Sequence, residues 1–191
     1  MEVKNYKPEL KAYLDREIEV IKALDLESIN KVMNALEEAK LNHKTTYICG
    51  NGGSAATASH FVCDFNKGLN DEASQFKFQC LSDNTPIMMA ISNDIGYDEV
   101  FRYQIKGRIE TGDILFGISG SGNSINVINA MEHAKSVGAK TIALVGYDGG
   151  KMKKIADYCI HVNINDMQIS EDVHMIMDHL MMYVLSKDQE C

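Results

Sequence analysis

The 191-residue chain is 45% hydrophobic and 24% charged, an ordinary balance for a globular protein, and it is long enough for one proper core. Its formal net charge of −8 argues against nucleic acid as the main partner, because binding phosphate backbones calls for a basic surface. No apolar run approaches the roughly 18 residues a membrane span needs, and MEVKNYKPEL lacks a signal-peptide core, so no membrane partner and a cytoplasmic location are expected.

From about Pro8 to Asn42 the chain reads as helix, with Leu10, Tyr13, Leu14, Ile18, Ile21 and Leu24 at helical spacing. A break near Asp25 to Ser28 divides it in two, with Ser28 the expected N-cap. Strand and helix then alternate: strand Tyr47 to Cys49, helix Ser54 to Phe65, strand Phe76 to Leu81, and a short helix Thr85 to Ser92. Helix Glu99 to Lys106, strand Ile114 to Ile118 and helix Ile125 to Ser136 follow. Strand Thr141 to Val145, short helix Lys151 to Ala156, strand Cys159 to Val162 and a helix from about Ile169 to Leu185 close the chain. Strands separated by helices predict an α/β fold, a three-layer αβα sandwich around a mainly parallel sheet. A single domain over 1–191 is expected, with a helical segment 1–43 ahead of the α/β core 44–191.

Two glycine-rich turns fall where a strand hands over to a helix, beyond the carboxyl ends where such sheets bind ligands. The second, Ser119-Gly120-Ser121-Gly122-Asn123-Ser124, offers three hydroxyls and close backbone approach at a helix N-terminus, which makes a phosphate cradle. Asn123-Ser124 stands where a mononucleotide P-loop has Lys-Ser/Thr, so a small phosphorylated metabolite is the better ligand. The first, Gly50-Asn51-Gly52-Gly53-Ser54, does not match the dinucleotide spacing G-x-G-x-x-G. On the following helix His60 and Asp64 share an i, i+4 face and can share a metal or a proton. On the last helix Glu171 and His179 project within roughly 80° of one another, and His174 and Asp178 share an i, i+4 face. A solvated polar face is the default reading of that set, with a helix-face hydrogen bond for His174, beside an apolar stripe of Val173, Ile176, Met177, Leu180, Met181 and Val184. The five cysteines (Cys49, Cys63, Cys80, Cys159, Cys191) are odd in number and lack Cys-x-x-Cys spacing, which suits reduced thiols.

Four segments in order, GNGGSAATASHF (Gly50–Phe61), SNDIGYDEVF (Ser92–Phe101), GDILFGISGSGNS (Gly112–Ser124) and EDVHMIMDH (Glu171–His179), resemble the sugar isomerase (SIS) family of phosphosugar-binding domains. Within it they are most similar to the phosphoheptose isomerases. The resemblance implies a flavodoxin-like fold and aldose–ketose isomerisation of sedoheptulose 7-phosphate to D-glycero-D-manno-heptose 7-phosphate. It implies that Ser119, Gly120, Ser121 and Ser124 hold the phosphate, with Asn51, Gly52, Gly53, Ser54, Asp94 and Glu171 at the sugar. It also implies zinc on His60, Asp64, Glu171 and His179, with Asp64 and His179 as the acid/base pair. Asp64 stands where the family has glutamate, and Glu171 where it has glutamine. A homotetramer with active sites at subunit interfaces is implied as well, serving lipopolysaccharide or capsule heptose biosynthesis. The alternatives are a non-catalytic phosphosugar-binding or replication-initiator-associating protein, and an isomerase of another ketose phosphate.

Overall fold

Short runs apolar on both faces give a parallel sheet covered on both sides. In the computed structural model, which describes residues 3–69 and 75–187, they form β1 (Thr46–Cys49), β2 (Phe78–Cys80), β3 (Ile114–Ser119), β4 (Lys140–Val145) and β5 (Tyr158–His161). Residues 1–2, 70–74 and 188–191 of the expected domain, with Cys191, lie outside the described residues. Every pairing is parallel, in the order β2-β1-β3-β4-β5, and β1 meets β3 with Thr46 opposite Ile114 and Cys49 opposite Gly117. The chain steps from β1 outward to β2, then crosses to β3 on the other side of β1. That reversal opens a crevice beyond the carboxyl ends of β1 and β3, where both glycine turns begin.

The helices are α1 (Lys7–Lys22), α2 (Leu26–Leu41), α3 (Gly53–Cys63), α4 (Thr85–Asp94), α5 (Arg102–Ile105), α6 (Ile125–Ser136), α7 (Gly150–Ile155) and α8 (Met167–Lys187). Alternation along the strands divides the core in two. Ile48, Ile114, Phe116, Ile118, Ile142 and Leu144 pack with Val32 and Leu36 of α2, Phe61 of α3, and Val173 and Met177 of α8. On the other face Leu115, Ala143 and Val145 pack with Ile91 of α4, Ile105 of α5, Met131 of α6 and Met152 of α7. The expected αβα sandwich is the fold observed.

Three local expectations are corrected. Asp25, not Ser28, caps α2: its Oδ1 accepts from the Glu27 and Ser28 N–H groups at 3.0 and 3.3 Å. The Ser28 hydroxyl instead donates to Asp25 Oδ2 at 2.6 Å, so the serine braces the cap. The helix expected to reach Phe65 leaves α geometry after Cys63 and widens into a π-helical turn, Asp64–Gly68. Phe65 is drawn onto Phe61, Phe76 and Phe78, an aromatic cluster with centroids 4.5–5.6 Å apart. Finally, Glu99 to Lys106 is not one helix but a 3-10 turn, Tyr97–Glu99, followed by α5. Val100, Phe101 and Ile105 are all fully buried there, and packing sets the path.

Candidate active site

The serine-rich turn leaves β3 and enters α6. Ser119 is buried, its Oγ lies 3.0 Å from Ser124 Oγ, and it accepts from the Gly122 N–H at 3.2 Å. Ser121 Oγ accepts from the Asn123 N–H at 3.2 Å. Ser124 is the N-cap of α6 but makes no side-chain cap bond, so the helix opens its N-terminal N–H groups toward the crevice. The turn is braced from outside: the Gly146 N–H donates to the Gly120 carbonyl at 2.8 Å and the Met152 N–H to the Gly122 carbonyl at 2.9 Å. Hydroxyls and free N–H groups held in a braced loop suit an anion with several acceptor oxygens.

The first turn is tied to the second across the crevice. Asn51 and Asn126 exchange reciprocal hydrogen bonds of 2.9 Å, and the Tyr97 hydroxyl donates to Asn51 Oδ1 at 2.7 Å. Asn126 is buried, and its Oδ1 also accepts from the Val127 N–H at 2.9 Å. Gly52, at φ +55°, makes the turn into α3, whose N-cap has no side-chain partner. A Cβ on Gly53 would stand 2.4 Å from Glu171 Oε2, so the Glu171 carboxylate lies directly against the first turn of α3. Ser54 is buried beside it, and Asp94, exposed at the end of α4, accepts from Asn93 Nδ2 at 2.8 Å.

The far end of α3 carries the titratable cluster. His60 Nε2 lies 3.0 Å from His179 Nε2, 3.7 Å from Asp64 Oδ2 and 4.0 Å from Asp178 Oδ2. One ligand atom from each of these four residues lies within 4.8 Å of the others. Zinc–nitrogen bonds of about 2.0–2.1 Å at tetrahedral angles place donors roughly 3.3 Å apart, so two imidazoles and two carboxylates at this spacing fit a divalent cation. His60 and Asp64 are half-buried, His179 is exposed and Asp178 is fully buried. Burial, and secondarily the Asp64 charge, pushes the Asp178 carboxyl up to about 7.

Of the residues expected at a metal, His60, Asp64 and His179 are brought together, while Glu171 stands two turns earlier on α8, outside the cluster and against Gly53. The expectation of a solvated face is corrected for His174 and Asp178, which are both fully buried, as is Ser170 one turn before His174. Nor, among the described residues, does either His174 ring nitrogen have the expected hydrogen-bond partner at good geometry, and burial pushes its pKa down to about 4 against a weaker opposing influence of the Val145 backbone. Asn126 and Tyr97 were not singled out by sequence, and Asp178 was read there as part of a solvated polar face, not as a member of the cluster. The signal for Asp178 lies in the spacing: Ser170, His174 and Asp178 recur every four residues, one position along from the buried Ile169, Val173 and Met177.

A family model described as "SIS domain" matches residues 9–146. The chain belongs to the SIS domain family. This SIS chain is 35% identical to a phosphoheptose isomerase of Aliarcobacter butzleri over 94% of its length and 96% of the relative's. It is 37% identical to one from Helicobacter pylori, over 90% of this chain and 87% of that one. Among solved structures, phosphoheptose isomerase GmhA from Neisseria gonorrhoeae superposes with a TM-score of 0.87 at 30% identity, covering 96% of this SIS chain and all of the other. The SIS domain match spans both glycine turns but ends before α8, so His179, Asp178 and Glu171 stand outside the matched range.

Proposed function

We propose that this chain is a phosphoheptose isomerase that interconverts sedoheptulose 7-phosphate and D-glycero-D-manno-heptose 7-phosphate. Relatives of that name, aligned over nearly its whole length, support the reading. The observation that carries it is α3 itself. The helix begins at the first glycine turn of the crevice and reaches His60 seven residues later, roughly 10 Å along its axis. A phosphate anchored at the serine turn and a reacting carbonyl several carbons away suit that division of labour.

In this reading Ser119, Ser121 and Ser124, with the Gly120 backbone, hold the phosphate, and Asn51, Gly52, Gly53, Ser54, Asp94 and Glu171 line the sugar. Binding energy at the phosphate is then spent on orienting the reacting end. A proton leaves C1 of the ketose as O2 gains one, which gives the C1–C2 enediol; O1 then loses its proton as a proton is delivered to C2, which gives the aldose. Asp64 and His179 are the acid/base pair for the carbon-bound protons. A divalent metal, zinc by the family resemblance, would polarise the carbonyl and stabilise negative charge on its oxygen. His60, Asp64 and His179 would hold it, with the fourth donor of the resemblance, Glu171, set apart from these three. Copies of the chain associate through α1, as a tetramer by the resemblance, in the cytoplasm.

Asp64→Asn and His179→Ala test the pair. Each should lower turnover of sedoheptulose 7-phosphate by about 100-fold or more, while inorganic phosphate should protect the variants and the unsubstituted protein alike against thermal unfolding. Turnover within a few-fold of wild type in either variant removes that residue from the mechanism.

A further inference from the structure

We propose that Asp178 is a metal ligand of this chain, completing a His60–Asp64–Asp178–His179 donor set; the inference rests on the metal-assisted reading above. Asp178 is wholly buried, and among the described residues neither carboxylate oxygen has a hydrogen-bond partner. Buried carboxylates are otherwise paired, hydrogen-bonded or bound to a cation. The groups that face it come from two helices and the π-helical turn: His60 at 4.0 Å from α3, Asp64 from the turn, and His179 beside it on α8. Among the described residues no lysine or arginine pairs with it. Asp64 is a like charge whose ligand atom lies within 4.8 Å of that of Asp178, and a cation between them would relieve their repulsion. The two imidazole Nε2 atoms, 3.0 Å apart, point to the same place.

Glu171 competes for the role and sits elsewhere. Its carboxylate lies against Gly53 at the opposite end of α3, where a Cβ would stand 2.4 Å from Oε2. The structure thus holds two candidate fourth donors, and only Asp178 converges with the other three. Two carboxylates and two neutral imidazoles balance the charge of a divalent ion, which favours tight retention and moderates its pull on a substrate oxygen.

Zinc affinity, measured by competition with a chromophoric chelator, tests the assignment without reference to turnover. Unsubstituted protein, Asp178→Leu and Glu171→Gln are compared as full-length chains. Outer-shell partners of metal ligands typically carry 10–100-fold in affinity, so loss of the ligand itself should weaken binding by about 100-fold or more in Asp178→Leu. Glu171→Gln should bind like wild type. Thermal unfolding in EDTA controls for the fold: Asp178→Leu should melt at or above the wild-type temperature, because an unpaired buried carboxylate has been removed. Zinc bound as tightly by Asp178→Leu as by wild type overturns the proposal and leaves the isomerase reading standing. A marked loss of stability in EDTA overturns it too, by showing that the carboxylate has a partner in the metal-free fold. A wild-type chain that binds no zinc removes the metal from both readings.

Discussion

Gly122 shows how tightly the serine-rich turn is held. Its φ of +65° is a conformation L side chains rarely adopt, and a Cβ there would stand 2.1 Å from the Gly149 carbonyl oxygen. Gly122→Ala should therefore destabilise the fold by at least about 2 kcal/mol, combining positive-φ strain with a backbone clash. Urea unfolding checks it, and an unchanged midpoint would mean the turn is looser than its contacts imply. The turn itself was legible, because glycine and serine between an apolar run and a helical pattern state the backbone requirement locally. Asp178 was not. In the sequence it is one of five acidic or histidine residues on a long helix, and only the packing of α3 and the π-helical turn against α8, more than a hundred residues apart in the chain, buries it beside His60 and Asp64.

Helix α1 has no buried residue, yet Tyr6, just before it, and Leu10, Leu14 and Ile18 within it recur every four positions at 57%, 61%, 56% and 47% exposure. On the other face of α1, Tyr13, Val20 and Ile21 pack against the core, so the proposed association through α1 would use the outward stripe. Arg16 meets Asp166 at 2.7 Å and Tyr13 hydrogen-bonds Asp172, which hold α1 against α8 and leave the stripe outward. In sedimentation velocity the wild-type chain should run as a tetramer at micromolar concentration, and Leu10→Glu with Leu14→Glu should run as a monomer. A monomeric wild type, or an unchanged double variant, contradicts the assignment. The helical period of α1 was readable in sequence, but which face is covered was not, since that depends on a neighbour. The same limit explains Asp25: Asp25 and Ser28 are both good caps by residue type, and the extended backbone at Asp25 decides between them.

The whole molecule follows from one topological fact. The order β2-β1-β3-β4-β5 puts the two glycine turns side by side at the reversal, and the Asn51–Asn126 pair locks them there. Alternation of strands and helices made the layers and the parallel sheet legible, and the turns pointed to the crevice. The order of the strands depends on crossovers that leave no local trace, so the closure of the crevice and the meeting of α3 with α8 came only with the fold. Isomerisation of sedoheptulose 7-phosphate in D2O, followed by NMR and mass spectrometry, tests the central claim most directly. Product should carry solvent deuterium at C2, and recovered ketose should carry it at C1, with both lost in Asp64→Asn and His179→Ala. Conversion without deuterium, or no conversion at any metal loading, would contradict proton transfer by this site.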